Sequence, residues 1–170
     1  KENVKYQEPG FFYVDSTFFE VFSFKMVAGN PNQCLIKPKS VVITEQSVEK
    51  YFGDEDPINQ IIKVNGKDYN ITGVVEDSPD NSHFQFDFLA SFSSLSASKQ
   101  EIWGSANYAT YVRFSSQDNV NEIATGLNEK VSQAIGEEAP FSMIFGFMPL
   151  TDIHLRSDIA DEMQPQNSIV

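Results

Sequence analysis

The dipeptide Asn65-Gly66 constrains the fold of this chain more than any other local pattern. Asn-Gly is the preferred pair of a two-residue type I′ turn, because both central residues of that turn have positive φ. The turn predicts an antiparallel hairpin of strands 61–64 and 67–77, with Val64 opposite Lys67. In this register one face is apolar and the other polar. The apolar face carries Ile62, Val64, Tyr69, Ile71 and Val75, and the polar face carries Lys63, Asp68, Asn70 and Thr72.

Helices are predicted before and after this hairpin. Thr17 and Glu20 have the spacing of a capping box, and the apolar residues that follow it predict a short helix that reaches Met26. The second helix is capped by Thr44 and ends at Gly53, and the third runs from Asp118 to Gly136. The apolar positions of the three helices are Phe18, Phe22 and Met26; Val48, Tyr51 and Phe52; and Val120, Ile123, Ala124, Leu127, Val131 and Ile135.

Further strands are predicted at 40–43, 84–92, 108–114 and 141–150. In the second of these, every other residue is apolar, which predicts one phenylalanine-rich face. Segment 93–104 is rich in serine and predicts a loop or a short helix. Hairpins mixed with helices indicate an α+β fold with mixed or antiparallel sheets. The predicted phenylalanine face carries Phe84, Phe86, Phe88, Ala90 and Phe92.

Charge and composition exclude several function classes. The 170 residues have a formal net charge of −12, and no Lys/Arg cluster is present to replace the counterions of nucleic acid or to bind an anionic membrane. Fifteen phenylalanines and six tyrosines argue against a disordered chain. A single cysteine, Cys34, excludes an intrachain disulfide and a cysteine-rich metal site, and it reads as a small buried side chain.

The candidate catalytic residues do not form a convincing set. Ser82, His83 and Asp87 could be assembled into a hydrolase triad, but adjacent residues of a strand point to opposite faces. Trp103 and the phenylalanine-rich strand are read as core. No nucleotide-binding or metalloprotease motif is present, so the sequence predicts a non-catalytic protein without a cofactor.

The candidate metal ligands are likewise scattered. His83 and His154 lie far apart in sequence, and neither has a second histidine or cysteine nearby. The acidic run 54–56 and the pair Asp77 and Asp80 lack the spacing of an EF-hand loop. These carboxylates are therefore interpreted as turn and cap residues, and no metal site is predicted.

Four sequence segments (phrases), taken in their order along the chain, resemble the sequence of the MacB-like periplasmic core domain. This domain occurs in ABC transporter permeases of the FtsX-like superfamily, and the resemblance is to the form common in Bacteroidetes. The resemblance covers residues from about 11 to 158, and its most specific part is the stretch from Tyr51 to Pro57. The phrases are residues 15–24 (DSTFFEVFSF), 40–45 (SVVITE) with 50–58 (KYFGDEDPI), 69–84 (YNITGVVEDSPDNSHF) and 149–155 (PLTDIHL).

The resemblance implies a two-lobed fold, with a porter-like lobe near the membrane and a second lobe above it. Residues 1–158 would form this extracytoplasmic domain, and residues 159–170 would lead as a linker toward a transmembrane helix. Members of the family usually carry another strand and helix before the first phrase, and this sequence begins too late to contain them. A missing unit would leave a sheet edge or a helix face uncovered.

The resemblance also implies a function without catalysis. The domain would transmit ATP-driven movement on the periplasmic side of the inner membrane and so support export or release of cargo. Implied partners are a second permease copy, a cytoplasmic ABC ATPase, and a periplasmic adaptor or lipoprotein. The alternative is a periplasmic ligand-binding module with an aromatic groove. The residues that carry the resemblance, interpreted as structural, are Tyr51, Phe52, Gly53, Pro57, Gly73, Ser82, His83 and Phe84.

Overall fold

A computed structural model describes residues 10–79, 82, 85–100, 107–116, 119–136 and 143–153. The chain divides into two compact units, Lys1–Gln100 and Glu101–Val170, which we call unit 1 and unit 2. In the described residues no helix is both long enough and apolar enough to cross a membrane.

A six-stranded mixed sheet forms the centre of unit 1. Strand order is β1-β6-β3-β5-β2, and β4 pairs with β5 beside β2. The pairs β1–β6 and β3–β5 are parallel, whereas β2–β5, β3–β6 and β4–β5 are antiparallel. The predicted α+β class with a mixed sheet and short helices is therefore confirmed. The strands are β1 (Phe11–Val14), β2 (Met26–Gly29), β3 (Ser40–Thr44), β4 (Ile61–Val64), β5 (Lys67–Val75) and β6 (Phe88–Ser91).

Both faces of this sheet are covered, which leaves β3 and β6 buried along their whole length. Side chains alternate between faces along a strand, so Val42 and its neighbours Val41 and Ile43 contribute to different clusters. The first face has the buried residues Phe18, Cys34, Leu35, Val42, Val75, Phe86 and Leu89. The second has Val41, Ile43, Tyr69, Ile71, Val74, Phe88 and Ala90, with Val48, Tyr51 and Phe52 packed against them.

The predicted hairpin is confirmed in its register, with Val64 opposite Lys67. The prediction that Val75 shares a face with Ile71 is wrong. Between Ile71 and Gly73, β5 has one more residue than β3 beside it, and this bulge turns Val75 to the first face. The extra residue, Thr72, donates its hydroxyl to the Cys34 carbonyl at 2.6 Å.

The prediction of one phenylalanine face along 84–92 is also wrong. The described strand is shorter, and Phe86 and Phe88 belong to clusters on opposite faces. The amides of Asp87 and Phe88 both donate to the Gly10 carbonyl, so the pairing is irregular at this point. Phe84 lies outside the described residues, and Phe92 begins a 3-10 helix.

The first two helices match their predictions to different degrees. Helix α1 (Phe18–Val21) is a single turn, Thr17 makes no side-chain cap, and Met26 lies in β2, so the predicted longer helix is wrong. Phe18 and Phe22, whose spacing suggested a longer helix, instead pack their rings together with Phe24 against the sheet. Helix α2 (Glu45–Phe52) is confirmed, with Thr44 accepting from the Ser47 amide. Short 3-10 helices, Phe92–Ser94 and Ser96–Lys99, occupy the serine-rich segment.

In unit 2, helix α3 (Val120–Ile135) is confirmed and is followed by Gly136 at φ 83°. Its N-cap is Asn119, and the predicted cap Asp118 lies outside the described residues. Strands were predicted at 108–114 and 141–150. For the described positions this prediction is wrong, because residues 108–114 and 143–149 do not pair with a neighbouring strand. A 3-10 helix, Leu150–Asp152, follows.

Segment 143–149, which has no regular secondary structure, contacts α3 through a side chain of the helix. The Asn128 amide donates to the Phe145 carbonyl at 2.8 Å and accepts from the Phe145 amide at 2.7 Å. The Asn128 side chain thus forms hydrogen bonds with both the amide and the carbonyl of Phe145. In a sheet, a neighbouring strand would form these two bonds.

Candidate functional site

The stretch that carries the strongest family resemblance forms the end of α2. Tyr51 lies 5.9 Å from Phe88, ring centre to ring centre, and Phe52 packs on the same face of the sheet. Gly53 has φ 58°, and its amide donates to the carbonyls of Val48 and Glu49 at the helix end. The positive φ explains why glycine suits this position.

The beginning of α2 joins two of the resembling phrases. Thr44 Oγ1 accepts from the Ser47 amide at 3.3 Å, and Asp77 Oδ1 accepts from the Gln46 amide at 3.0 Å. Asp77 follows β5, so the two phrases are connected through the helix N-terminus. Two of the helix amides that would otherwise lack a partner are satisfied in this way. Helix α2 is therefore fixed at both ends.

The other signature residues are spread over unit 1. Pro57 is buried in the turn after α2. A Cβ on Gly73 would lie 2.6 Å from Met26 Cε and 3.2 Å from the Ala28 carbonyl, so glycine permits the close approach of β2. Ser82 donates its amide to the Pro79 carbonyl. His83 and Phe84 lie outside the described residues, as do His154, Trp103 and Asp80.

The cluster on the second face contains a hydroxyl pair formed by the half-buried Tyr13 and the buried Tyr69. The hydroxyl oxygens of Tyr13 and Tyr69 lie 2.8 Å apart. Burial, together with the hydrogen bond to Tyr13, raises the pKa of Tyr69 to about 12. Tyr69 is 2% exposed, so this pair belongs to the core rather than to a surface site.

Cys34 is a buried side chain, as the sequence predicted. It is 3% exposed, and burial raises the pKa of its thiol to about 11. Its sulfur lies 3.6 Å from the Pro31 carbonyl. The thiolate is the reactive form of cysteine, so this residue is a poor nucleophile at neutral pH.

Two of the acidic residues considered as metal ligands, Asp56 and Asp77, have local partners. Asp56 Oδ1 accepts from the Ile58 amide at 2.9 Å, and Asp77 caps α2. Within the described ranges, no group of three or more His, Cys, Asp or Glu side chains is close enough to hold a metal ion. The hydrolase set stays untested, because His83 lies outside those ranges.

An open groove of about 660 Å³ lies on the polar face of the β4–β5 hairpin. We call it the hairpin groove. Segment 30–39 forms one wall, and the floor comes from Asp68, Asn70 and Thr72 of β5. Asn59 and Ile61 line the opposite side. Among the described residues that line it, Tyr69 is the one aromatic residue, so they do not form the aromatic groove of the alternative hypothesis.

The sequence identified the floor of this groove but not its wall. Polar alternation along β5 indicated Asp68, Asn70 and Thr72, whereas nothing indicated that segment 30–39 would run over them. Lys39 and Asn59 both have positive φ, at 61° and 65°. The groove was not predicted, because no local pattern shows that segment 30–39 lies beside residues 68–72, which are distant from it in sequence.

The family described as "MacB-like periplasmic core domain" matches residues 2–130. This match spans more than half of the chain and includes the whole sheet. The chain belongs to the MacB-like periplasmic core domain family. None of the curated proteins matches the sequence.

Two solved structures share the fold of this MacB-like domain. A domain of a candidate permease from Porphyromonas gingivalis is 20% identical with a TM-score of 0.56, and the alignment covers 81% of this chain and 68% of that one. The extracellular domain of the noncanonic ABC-type transporter YknZ from Gram-positive bacteria is 18% identical with a TM-score of 0.52. That alignment covers 73% of this chain and 63% of the other. The chain thus spans about two thirds of each.

Proposed function

We propose that this MacB-like domain is the extracytoplasmic part of an ABC transporter permease and that it transmits movement without catalysing a reaction. The family match supports the permease context. The observation that carries the mechanical role is the sheet with both faces covered, in which β3 and β6 are buried throughout. Densely packed elements move as units between discrete arrangements.

Helix α2 supports the same role. Thr44 and Asp77 fix its first turn, Gly53 ends it, and its apolar side packs on the second face of the sheet. A force applied to the helix would therefore move the sheet with it.

The proposed setting has several parts. Residues 159–170 lead toward a transmembrane helix, and the domain lies on the periplasmic side of the inner membrane. A second permease copy completes the transporter, and a cytoplasmic ABC ATPase supplies the energy for export or release of cargo. An adaptor or a lipoprotein is the proposed periplasmic partner. The aromatic ligand-binding alternative has less support, since the phenylalanines described between residues 11 and 88 pack in the two clusters.

Distance measurement between paired copies tests this proposal. Glu49 is exposed on α2, so Glu49→Cys in the full-length protein provides a site for a spin label. Cys34 is buried and its thiol pKa is raised to about 11, so labelling should spare it. With the transporter in lipid nanodiscs, we expect the distance between labels to change on addition of ATP and vanadate.

The control is the same sample with an ATPase subunit that cannot hydrolyse or close on ATP, which should show one distance in all conditions. Full-length protein without the Glu49→Cys change reports labelling of any other cysteine. A distance that ATP does not alter, in a transporter that hydrolyses ATP, would contradict the transmission of movement.

A further inference from the structure

The charge of the hairpin groove opposes the charge of the protein. The chain has a formal net charge of −12, yet Lys37 and Lys39 line this groove. Asp68, the acidic residue among the described residues that line the groove, has an oxygen 3.7 Å from Lys63 Nζ. An anionic ligand would be repelled by most of the protein surface and attracted here.

The backbone presents the groove residues from fixed positions. Lys39 has φ 61°, its amide donates to Ser94 Oγ at 2.7 Å, and its carbonyl accepts from the Asn70 amide at 2.8 Å. Asn59 has φ 65°, and its amide donates to the Ile71 carbonyl at 2.8 Å. Strained backbone conformations of this kind persist where surrounding bonds hold them, and they occur often at binding sites.

Polar side chains of the groove are not used by the protein itself. In the part of the chain that the structure describes, the side chains of Lys37, Lys39 and Asn59 make no hydrogen bond or ion pair, and the Asn70 side chain makes none either. They offer two ammonium groups and two amides to a ligand. An amide both donates and accepts, so it matches the peptide backbone.

Aliphatic residues lie beside these polar groups. Ile36 is 55% exposed and Ile61 is 68% exposed, and both line the groove. A ligand that covers them while it contacts the lysines needs an apolar part next to its negative charges. A small inorganic anion would use the lysines and leave the isoleucines in water.

We propose that the hairpin groove binds an acidic peptide segment, with carboxylates on Lys37 and Lys39, backbone on Asn59 and Asn70, and an aliphatic side chain between the two isoleucines. This binding function does not depend on the proposed transmission of movement, and each can fail without the other.

A titration of the ¹⁵N-labelled domain tests the proposal. The probe is a blocked hexapeptide of alternating glutamate and leucine, and its matched control replaces each glutamate with glutamine. We expect the glutamate peptide to shift the amide signals of segment 30–39 and of Asn59 and Asn70. The charge-assisted contacts predict that the glutamine peptide binds at least about tenfold more weakly. Raising the salt to about 0.5 M should weaken the glutamate peptide further.

Variants separate the groove from the rest of the surface. Lys37→Ala with Lys39→Gly removes both ammonium groups, and glycine retains the positive φ at 39. This double variant should lose at least about tenfold in affinity. Lys67→Ala removes a charge from the same hairpin outside the groove lining, and it should stay within about twofold.

Several results would overturn the proposal. They are no binding of the glutamate peptide, equal binding of the glutamine peptide, signal changes outside the groove, or an unaltered affinity in the double variant. Inorganic phosphate and vesicles with phosphatidylglycerol are tested in parallel. If either binds the groove more tightly than the glutamate peptide, the groove is a phosphate site and the peptide proposal fails.

Discussion

The described parts of the two units differ in how many of their apolar side chains are buried. Unit 1 buries them on both faces of one sheet, and among its described residues Val27, Ile36 and Ile61 are the large apolar side chains that stay exposed. In the described part of unit 2, Val131 is the one buried apolar side chain. Its large exposed apolar residues are Tyr108, Val112, Ile123, Ile144, Phe145, Met148 and Leu150.

This difference indicates where the stability of each unit originates. Unit 1 has a core of its own, and burial of apolar surface is the dominant favourable contribution to folding. The described part of unit 2 has local contacts, such as the Asn128 amide on Phe145 and the edge-to-face pair of Phe114 and Phe147, whose ring centres are 5.0 Å apart. Substitutions should therefore cost more in unit 1.

The largest expected difference is between two leucines. Leu89 is fully buried in unit 1, and Leu89→Ala should lower the free energy of unfolding by about 3 kcal/mol, since it leaves a cavity. Leu150 is 48% exposed in unit 2, and Leu150→Ala should change it by less than about 0.5 kcal/mol. Urea unfolding followed by circular dichroism measures both. Equal costs would contradict the comparison.

Substitution of two glycines by alanine should change the stability in opposite directions. Gly73→Ala places a Cβ 3.2 Å from the backbone carbonyl oxygen of Ala28 and 3.3 Å from Val42 Cγ2, so it should destabilise by about 1 kcal/mol through overpacking after the flexible end of Met26 has moved away. Gly126 lies within α3 with no atom within 4 Å of a new Cβ, so Gly126→Ala should stabilise by about 0.5–1 kcal/mol through helix propensity. Thermal unfolding reports both. A stabilising Gly73→Ala would mean that β2 and β5 can move apart.

High pH should weaken unit 1 through Tyr69. Burial and the hydrogen bond to Tyr13 raise the pKa of Tyr69 from 10.0 to about 12, so the unfolded state ionises first as the pH rises. Stability from this group is complete below pH 10 and is lost between pH 10 and about 12. The loss should be on the order of 2 kcal/mol.

Tyr69→Phe removes the ionising group and should flatten that part of the stability profile. The control is Tyr108→Phe, because Tyr108 of unit 2 is 53% exposed. Stability is read from urea midpoints at each pH. A profile that is equally steep in Tyr69→Phe would assign the alkaline loss to other groups.

The smallest expected difference concerns helix caps. Thr44 accepts a hydrogen bond from the Ser47 amide, and Thr44→Ala should cost about 1 kcal/mol. Asn119 of α3 makes no such bond, so Asn119→Ala should cost less than about 0.5 kcal/mol. Hydrogen exchange of the first-turn amides distinguishes the two helices. A larger effect at Asn119 would show that α3 depends on its cap.

Local signals in the sequence predicted much of unit 1. The Asn65-Gly66 turn fixed the hairpin register, and Thr44 and Gly53 marked the ends of α2. The predictions for Val75 and for Phe86 with Phe88 were wrong because bulges and irregular pairing change which face a residue occupies. Such irregularities depend on the neighbouring strand and leave no local pattern.

Unit 2 was predicted less well, for a related physical reason. The residues at 108–114 and 143–149 have β-prone composition, but a strand needs a paired neighbour, and the described segments have none. Asn128 meets the backbone of Phe145 instead, and no sequence rule indicates that contact. The hairpin groove was missed because its wall comes from a segment distant in sequence from its floor.

Purification of the full-length protein from its own host tests the central claim most directly. Membranes are solubilised, the tagged protein is isolated, and its companions are identified by mass spectrometry. The account predicts that the protein is recovered from the membrane fraction together with an ABC-type ATPase. Recovery from the soluble fraction without an ATPase would contradict the claim that this domain belongs to a transporter permease.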